Sequence, residues 1–502
     1  MYIVTAKEMY EIDRYAIEET GIAGKILMEN AGSKVAGALL RDYQHCHQVA
    51  IVVGSGNNGG DGFVVGRYLQ ESGLKVTLFQ VVEDKKIKGD AAYHKQLSLQ
   101  SGVTLVHVDA VSQLKEQLLT FDIIVDAILG IGVQGDIRQP IHGIIDSINQ
   151  TPRPTISIDI PSGLPATDSE PVDMAIQANH TYIIATPKVS LFCEPLQGYY
   201  GSWQVLSIAI PNQAYVPIKK GVWQEQDVLA TLPRRGIFSH KGSHGKGVVI
   251  GGQQTMPGSI ALAARAALRS GAGLITAATV VANIPVVANY CTEATYQPLA
   301  NMTEALSEEA LSALASHDAI AVGMGMGRNN SQLLPGLLYD TDKPLLIDAD
   351  GLYHLKTLLS SKWKRTAPVV ISPHYGEMAM LTDQRLEMVK QAPFTLSKQF
   401  AEEHQVYIVL KGKHTIITSP DGQQIVSSQG NAGLAKGGTG DVLSGVLLTM
   451  LMQQENVMTA LANGCYLHGR SAEILVEQQH SEVDLLASDV IEGLSQVFRT
   501  LS

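Results

Sequence analysis

The feature that most constrains this chain is a rhythm that occurs twice. Short, continuous apolar runs end in glycine- and aspartate-rich loops, and helical segments follow. In the first half the runs fall at residues 49–53, 76–82, 123–125, 156–160, 182–185 and 205–209, with a helical stretch at 63–71. In the second half they fall at 248–250, 274–278, 320–322, 345–347, 369–371 and 407–410. Strands that are apolar on both faces belong in buried parallel sheets, and their alternation with helices predicts doubly wound α/β architecture. Between the two sets, residues 211–222 lack periodicity and carry Pro211, Pro217 and Lys219-Lys220-Gly221, the punctuation of a linker. Two α/β domains are therefore expected, at residues 1–215 and 224–502. Thr5 and Glu8 form a capping-box pattern ahead of a helix striped by Met9, Ile12, Ala16 and Ile17 and stopped at Gly21. A hairpin is expected from residues 415–419 and 424–428 around Pro420-Asp421-Gly422.

Charge narrows the function. Lys plus Arg total 37 against 48 Asp plus Glu, a net charge of −11. A nucleic-acid partner would leave a basic footprint, and Lys85, Lys86 and Lys88 are only a small solvated cluster. Lys7, Glu8, Glu11, Asp13 and Arg14 leave no room for a signal-peptide apolar core. The most apolar stretch, 271–290, is broken by Thr, Asn and Pro and does not read as a membrane span. A cytoplasmic protein with no membrane and no nucleic-acid partner is expected, assembled as a homo-oligomer. Cys46, Cys193, Cys291 and Cys465 lie far apart with no C-x-x-C pair, which suits reduced thiols rather than a zinc site. His45-Cys46-His47 reads as a loop before a strand.

In open α/β sheets, ligands bind beyond the carboxyl ends of the strands. The first run leads into Gly54-Ser55-Gly56-Asn57-Asn58-Gly59-Gly60-Asp61-Gly62, and G-x-G-x-x-G matches at Gly54, Gly56 and Gly59. Glu83 and Asp84 follow the next run, where a ribose-binding acid would sit. Yet Asp61 falls where a pyrophosphate would take the free N–H groups, and a carboxylate competes with phosphate there. Asp126 precedes Ala127-Ile128-Leu129-Gly130, and Asp159 lies in Asp159-Ile160-Pro161-Ser162-Gly163. Three strand-end aspartates with Asn58 make an oxygen-rich pocket suited to hydroxyls, a hard cation, or both. Each aspartate alone would read as a helix cap.

These three motifs together resemble the YjeF N-terminal family of NAD(P)HX epimerases, over most of residues 1–210. The resemblance implies a Rossmann-like sheet. It implies that Asn57, Asn58, Gly59, Gly60 and Asp61, with Gly130, Ile131, Gly132, Val133, Gln134, Gly135 and Asp136, contact a hydrated nicotinamide nucleotide. It further implies that Asn58, Asp126 and Ser162 hold K+ and that Asp159 contacts the substrate. Asp159 is the candidate acid/base for inverting C6. Lys188, in Thr186-Pro187-Lys188, is a second candidate that also reads as a solvated surface lysine.

Near the other end stands Ala435-Lys436-Gly437-Gly438-Thr439-Gly440-Asp441, opening an apolar helix. Glycines at a helix start expose N–H groups to a phosphate or a developing negative charge. Asp441, in the first turn, can act as general base toward a neighbouring hydroxyl, and Lys436 adds positive charge. No Walker A sequence occurs. Other strand ends are decorated too, by Gly323-Met324-Gly325, Asp348-Ala349-Asp350-Gly351, Ser372-Pro373-His374-Tyr375-Gly376-Glu377 and Lys411-Gly412-Lys413-His414-Thr415. His374 reads equally well as a helix cap.

This constellation, with His240-Lys241-Gly242 and Met256-Pro257-Gly258, resembles the ribokinase-like superfamily and, more closely, ADP-dependent NAD(P)HX dehydratases, over roughly residues 225–500. The resemblance implies a ribokinase-like α/β/α domain. It implies that Gly323, His374 and Asp441 contact the hydrated dinucleotide, with Asp441 catalytic. It also implies that Lys411, Gly412, Lys413, His414, Thr415 and Gly440 contact ADP, with Mg2+ accompanying the nucleotide. Sugar kinases often carry Ala where this chain has Thr439. Together the two resemblances imply repair of NADHX and NADPHX: epimerisation of the R and S forms, and dehydration of the S form with hydrolysis of ADP. Three rivals remain: a dehydrogenase fused to another α/β domain, a ribokinase-like small-molecule kinase, and a binding or scaffold domain whose acids only cap helices.

Overall fold

A computed structural model describes all residues except 134, 330, 361, 362, 364 and 502. The chain divides into two compact units, residues 1–218 with 390–392, and residues 219–389 with 393 onward.

In the first unit the strands are β1 (Gln48–Val53), β2 (Lys75–Gln80), β3 (Thr104–His107), β4 (Ile123–Ala127), β5 (Thr155–Ile158), β6 (His180–Ile184) and β7 (Ser202–Leu206). They form one sheet in the order β3-β2-β1-β4-β5-β6-β7. Every pairing is parallel. Strand β1 shows why its sequence is apolar throughout. Val49, Ile51 and Val53 pack with Val35, Leu39, Phe63 and Leu69 on one face. Ala50 and Val52 pack with Phe79, Leu114 and Ile145 on the other. Both faces are covered by helices, so every position from Val49 to Val53 is buried. The sheet order reverses beside β1, between β1 and β4, which opens a crevice at their carboxyl ends.

The first helix, Ala6–Glu18, starts at the Thr5–Glu8 capping box: Thr5 N–H donates to Glu8 Oε2 at 2.8 Å, and Glu8 N–H to Thr5 Oγ1 at 3.3 Å. Its apolar stripe of Met9 and Ile12 packs on Ala214 and Tyr215. Residues 211–222, expected to be a linker, are therefore structured. Asn212–Tyr215 is a short turn of 3-10 helix carrying those two buried side chains, and Lys220–Val222 is a strand, β8, of the second sheet.

The second unit continues with β9 (Lys246–Ile250), β10 (Leu274–Val280), β11 (Thr295–Leu299), β12 (Ala319–Val322), β13 (Leu345–Ile347), β14 (Val369–Ile371), β15 (Tyr407–Leu410), β16 (Thr415–Thr418) and β17 (Gln424–Ser427). Their order is β11-β10-β9-β12-β13-β14-β15-β16-β17-β8. Only the β15–β16 and β16–β17 pairings are antiparallel among the described strands, and β16–β17 is the expected hairpin. Helices Pro257–Arg269, Thr439–Gln453 and Val457–Gln478 bury Ala263, Ala264, Ala267, Val446, Leu447 and Leu461 against Val249, Ile275, Ala321 and Leu346. Two helices that carry site residues at their amino ends are thereby fixed on the sheet.

Candidate active sites

In the first unit the crevice is built around a tight glycine turn. Gly54 lies so close to the Ile128 carbonyl that any Cβ would collide with it, and Gly59 is pressed in the same way on the backbone of Gly54. This close approach allows the helix to begin at Asn57, with Gly56 as its N-cap and no side-chain cap. Asp61 is consequently one turn inside the helix rather than at its start, so the expected clash with a phosphate at the helix N-terminus does not arise there. Glu83 and Asp84 are not a free ribose site either: Asp84 pairs with Lys95 at 2.7 Å and Glu83 with Lys85 at 2.5 Å.

A cavity of 380 Å³ opens at this edge, lined by Asn57, Asn58, Asp61, Gly130, Ile131, Gly132, Val133, Asp159, Lys188 and, from the first helix, Asp13. Gly135 and Asp136 lie instead on a separate cavity of 1000 Å³ with Lys86 and Arg138. Gln134 lies outside the described residues. Lys188 is not a solvated lysine: its side chain is 1% exposed and its ammonium pairs with Asp159. Lys188 Nζ also donates to Thr186 O at 3.0 Å, and Asp159 Oδ1 accepts from Ile184 N–H at 3.0 Å. Asp159 adopts a left-handed backbone with φ 65°, an unfavourable conformation for a residue with a side chain, held here by these contacts.

Asp61 and Asp13 complete the wall. Burial drives the Asp61 carboxyl well above its usual value, with the Asp159 and Asp13 charges adding to the shift. Burial raises Asp13 to about 6, with Lys188 pulling it down and Asp159 pushing it up. Asp13 was not among the sequence candidates, because an acid on an amphipathic helix looks like part of its solvent face.

Asp126 and Ser162 stand behind the cavity rather than on it; both are 0% exposed. Asp126 accepts from Ser157 Oγ at 2.9 Å, Ser162 N–H at 2.8 Å and Ser162 Oγ at 2.5 Å. Burial still raises its carboxyl above the usual range. Asn58 Nδ2 donates to Leu129 O at 2.7 Å, while its buried Oδ1 has no hydrogen-bond partner among the described residues. An orphaned oxygen next to a carbonyl, with a costly buried carboxylate behind it, fits a monovalent cation. Among the described residues, no three His, Cys, Asp or Glu side chains are grouped to hold a metal by themselves.

In the second unit the helix Thr439–Gln453 starts at Gly438, whose φ of 93° makes the sharp entry turn. Asp441, in the first turn, is raised to about 6 by burial and by Asp348, against a hydrogen bond from Ser259 and the charge of Lys411. Lys411 Nζ donates to Asp348 Oδ1 at 2.7 Å, and Ser444 Oγ to Asp348 Oδ2 at 2.6 Å. Burial alone would depress Lys411, but Asp348, Glu377 and Asp441 outweigh it and its net shift is upward. Gly323 has φ 119°, and a Cβ there would strike the Asp348 carbonyl. Gly440 lies within 3.6 Å (Cβ position) of Lys411 Nζ. Gly323, Asp348, Lys411, Gly440 and Asp441 thus converge on one point.

His374 is the N-cap of the helix Tyr375–Thr382, sharing a capping box with Glu377, and its backbone bridges to Lys411. Gly412 and Lys413 are exposed and Thr415 begins β16, but His414 is buried and held neutral, depressed to about 4 by burial and Lys413. Lys436 donates to the Val483 carbonyl at 2.5 Å, so the lysine at the Asp441 cluster is Lys411. Ser259 was not singled out in the sequence; Asp348, directly after β13, was marked there as a strand-end residue but given no role.

Comparison with known proteins follows this division. Residues 24–190 match the family model described as YjeF-related protein N-terminus, and residues 247–495 match NAD(P)H-hydrate dehydratase. The bifunctional NAD(P)H-hydrate repair enzyme Nnr of Moorella thermoacetica is 35% identical, over 100% of this chain and 97% of that protein. Its counterpart in Thermofilum pendens is 31% identical with the same coverage. Among solved structures, the ADP/ATP-dependent NAD(P)H-hydrate dehydratase from Bacillus subtilis, co-crystallised with ATP and Mg2+, is 34% identical with a TM-score of 0.50. That likeness covers 56% of this chain and 99% of the other. No helix among the described residues is long and apolar enough to cross a membrane.

Proposed function

The chain belongs to the family of bifunctional NAD(P)H-hydrate repair enzymes, and on that footing we propose which residues carry its two activities. The first unit epimerises hydrated NAD(P)H and the second dehydrates it. For epimerisation the observation that counts is the Asp159–Lys188 pair on the wall of a 380 Å³ cavity. Lys188 holds the Asp159 carboxylate in place on that wall, where Asp159 would take or return a proton at the C6 hydroxyl. Asn57, Asn58, Asp61 and the Gly130–Val133 segment surround the hydrated ring. K+ would sit on Asn58 Oδ1 with Asp126 and Ser162 behind it; its charge would offset the buried carboxylate.

For dehydration the carrying observation is Asp441 at a helix start beside the Lys411–Asp348 pair. An alcohol is a poor leaving group, and transfer of a phosphoryl group from the nucleotide would make it a better one. Asp441 would take the hydroxyl proton as the C6 oxygen displaces AMP from the β-phosphorus of ADP, while the N–H groups around Gly438 and Gly440 and the Lys411 ammonium steady the transferred charge; loss of phosphate from C6 with a proton from C5 then restores the C5=C6 bond. ADP is the expected phosphoryl donor, with the segment Lys411–Thr415 beside it and Mg2+ on its phosphates. His374, whose backbone bridges to Lys411, would contact the dinucleotide. A homo-oligomer is the expected assembly.

The test supplies hydrated NADH and follows the returning absorbance of reduced nicotinamide. Recovery should require ADP, and recovery of the R epimer should slow when K+ is replaced by Na+. Full recovery without any nucleotide would overturn the dehydratase scheme; identical rates in K+ and Na+ would overturn the cation site.

A further inference from the structure

Of the carboxylates on the first cavity, Asp90 is exposed to solvent, while Asp13 and Asp61 are largely withdrawn from it and have no hydrogen-bond or ion-pair partner among the described residues. Asp159 already has Lys188. Asp13, Asp61 and Asp159 therefore share one ammonium, and an isolated buried carboxylate is costly unless it is protonated or meets a donor. Asp13 is also rigidly placed. Its helix is pinned at one end by the Thr5–Glu8 box and along its face by Met9 and Ile12 on Tyr215. An acid that only solvated the helix would sit on the opposite face. The groups facing Asp13 are Asp61 from the helix Asn57–Glu71, Asp159 after β5, Lys188 after β6, and Tyr215, whose hydroxyl is pushed up to about 12 by burial and by Asp13 itself.

We propose that Asp13 is the second acid–base group of the epimerisation site, exchanging protons with the C6 hydroxyl from a different wall of the cavity than Asp159. This rests on the reading of that cavity as the epimerase site. Inversion at C6 needs a group to release the hydroxyl on one face and another to accept a proton on the other. Asp13, as the carboxylic acid, gives its proton to the hydroxyl. The C6–O bond breaks, its electron pair leaves on water, and the N1 lone pair forms the C6=N1 iminium. A second water adds from the other face, its electron pair forming the new C6–O bond and its proton passing to Asp159. One water leaves and one enters, and Asp13 and Asp159 exchange protonation states; the reverse reaction uses them in the opposite order. A carboxyl near 6 is suited to such a role at neutral pH.

The full-length protein is assayed for epimer exchange, with ADP-driven dehydration of the S form as the check that the chain is folded. Asp13→Asn should lower kcat for exchange by at least ~100-fold with KM changed by less than about threefold, and Asp13→Glu should recover at least ~10-fold of that loss. The pH profile of Asp13→Asn should lose its limb near 6. In H₂¹⁸O the wild-type product should carry label at the C6 hydroxyl above the enzyme-free control. Exchange at the wild-type rate in Asp13→Asn, or unlabelled product, overturns the proposal. If Asp159→Asn also exchanges normally, the epimerase reading of the cavity fails as well; if Asp159→Asn is inactive and Asp13→Asn is not, only the role of Asp13 falls.

Discussion

Lys188, with 1% of its side chain exposed, is ion-paired to Asp159, a residue held in left-handed backbone at φ 65°. A buried ammonium is tolerated because the carboxylate and the Thr186 carbonyl receive its protons. The pair joins two loops that follow adjacent strands, β5 and β6. It fixes the Asp159 carboxylate at the ends of two paired strands.

Removing one partner leaves the other charge buried alone. Lys188→Met should abolish epimerisation and destabilise the first unit by about 3 kcal/mol, the usual cost of breaking a buried pair from one side. Chemical denaturation followed by a probe in that unit checks the second part. ADP-driven dehydration of the S epimer should be unchanged.

Asp61 gives the opposite sign. Its carboxyl is raised in the folded protein, chiefly by burial, so the folded state binds a proton more tightly than the unfolded chain. Its contribution is most favourable below the unfolded value of 3.8 and is lost as pH rises through the folded value. Asp61→Asn, which cannot ionise, should therefore raise the melting temperature at pH 8 by roughly 2–4 °C per kcal/mol relieved, with a smaller gain at pH 5. Epimerisation should fall in the same variant. A scan at both pH values checks this, and a larger gain at pH 5 would refute the sign.

In the second unit two neighbours pull Asp441 in opposite directions: Asp348 raises its carboxyl and Ser259 lowers it. If Asp441 acts as a base, kcat/KM for dehydration should fall as pH drops below about 6. Ser259→Ala should move that limb upward and Asp348→Asn should move it downward. The pH profiles of the two variants decide the matter, and shifts in the same direction would show that Asp441 is not the titrating group.

What could be read from the sequence depended on burial. Strands such as β1 and β12 are buried on both faces, so their runs of Val, Ile and Ala stood out. β3 and β11 were missed because they are half-exposed edge strands, TLVH and TYQPL, with mixed polarity. Asp441 was legible because glycines flagged its helix start. Lys188 was ambiguous, since nothing local distinguishes a lysine that turns into the core from one that leaves it. Asp13 was hidden by the polar spacing of its helix. The helical state of Asn57-Asn58-Gly59-Gly60 runs against its intrinsic propensity, and only the close backbone contact with Gly54 reveals it.

The most direct test of two separate sites is a crossed measurement on hydrated NADH, with each epimer followed separately in the presence of ADP. Asp441→Asn should abolish return to NADH while R and S forms still interconvert. Asp159→Asn should consume the S form at the wild-type rate and leave the R form behind. An Asp441→Asn protein that dehydrates fully, or an Asp159→Asn protein that consumes both epimers equally fast, would contradict the assignment of one acid centre to each unit.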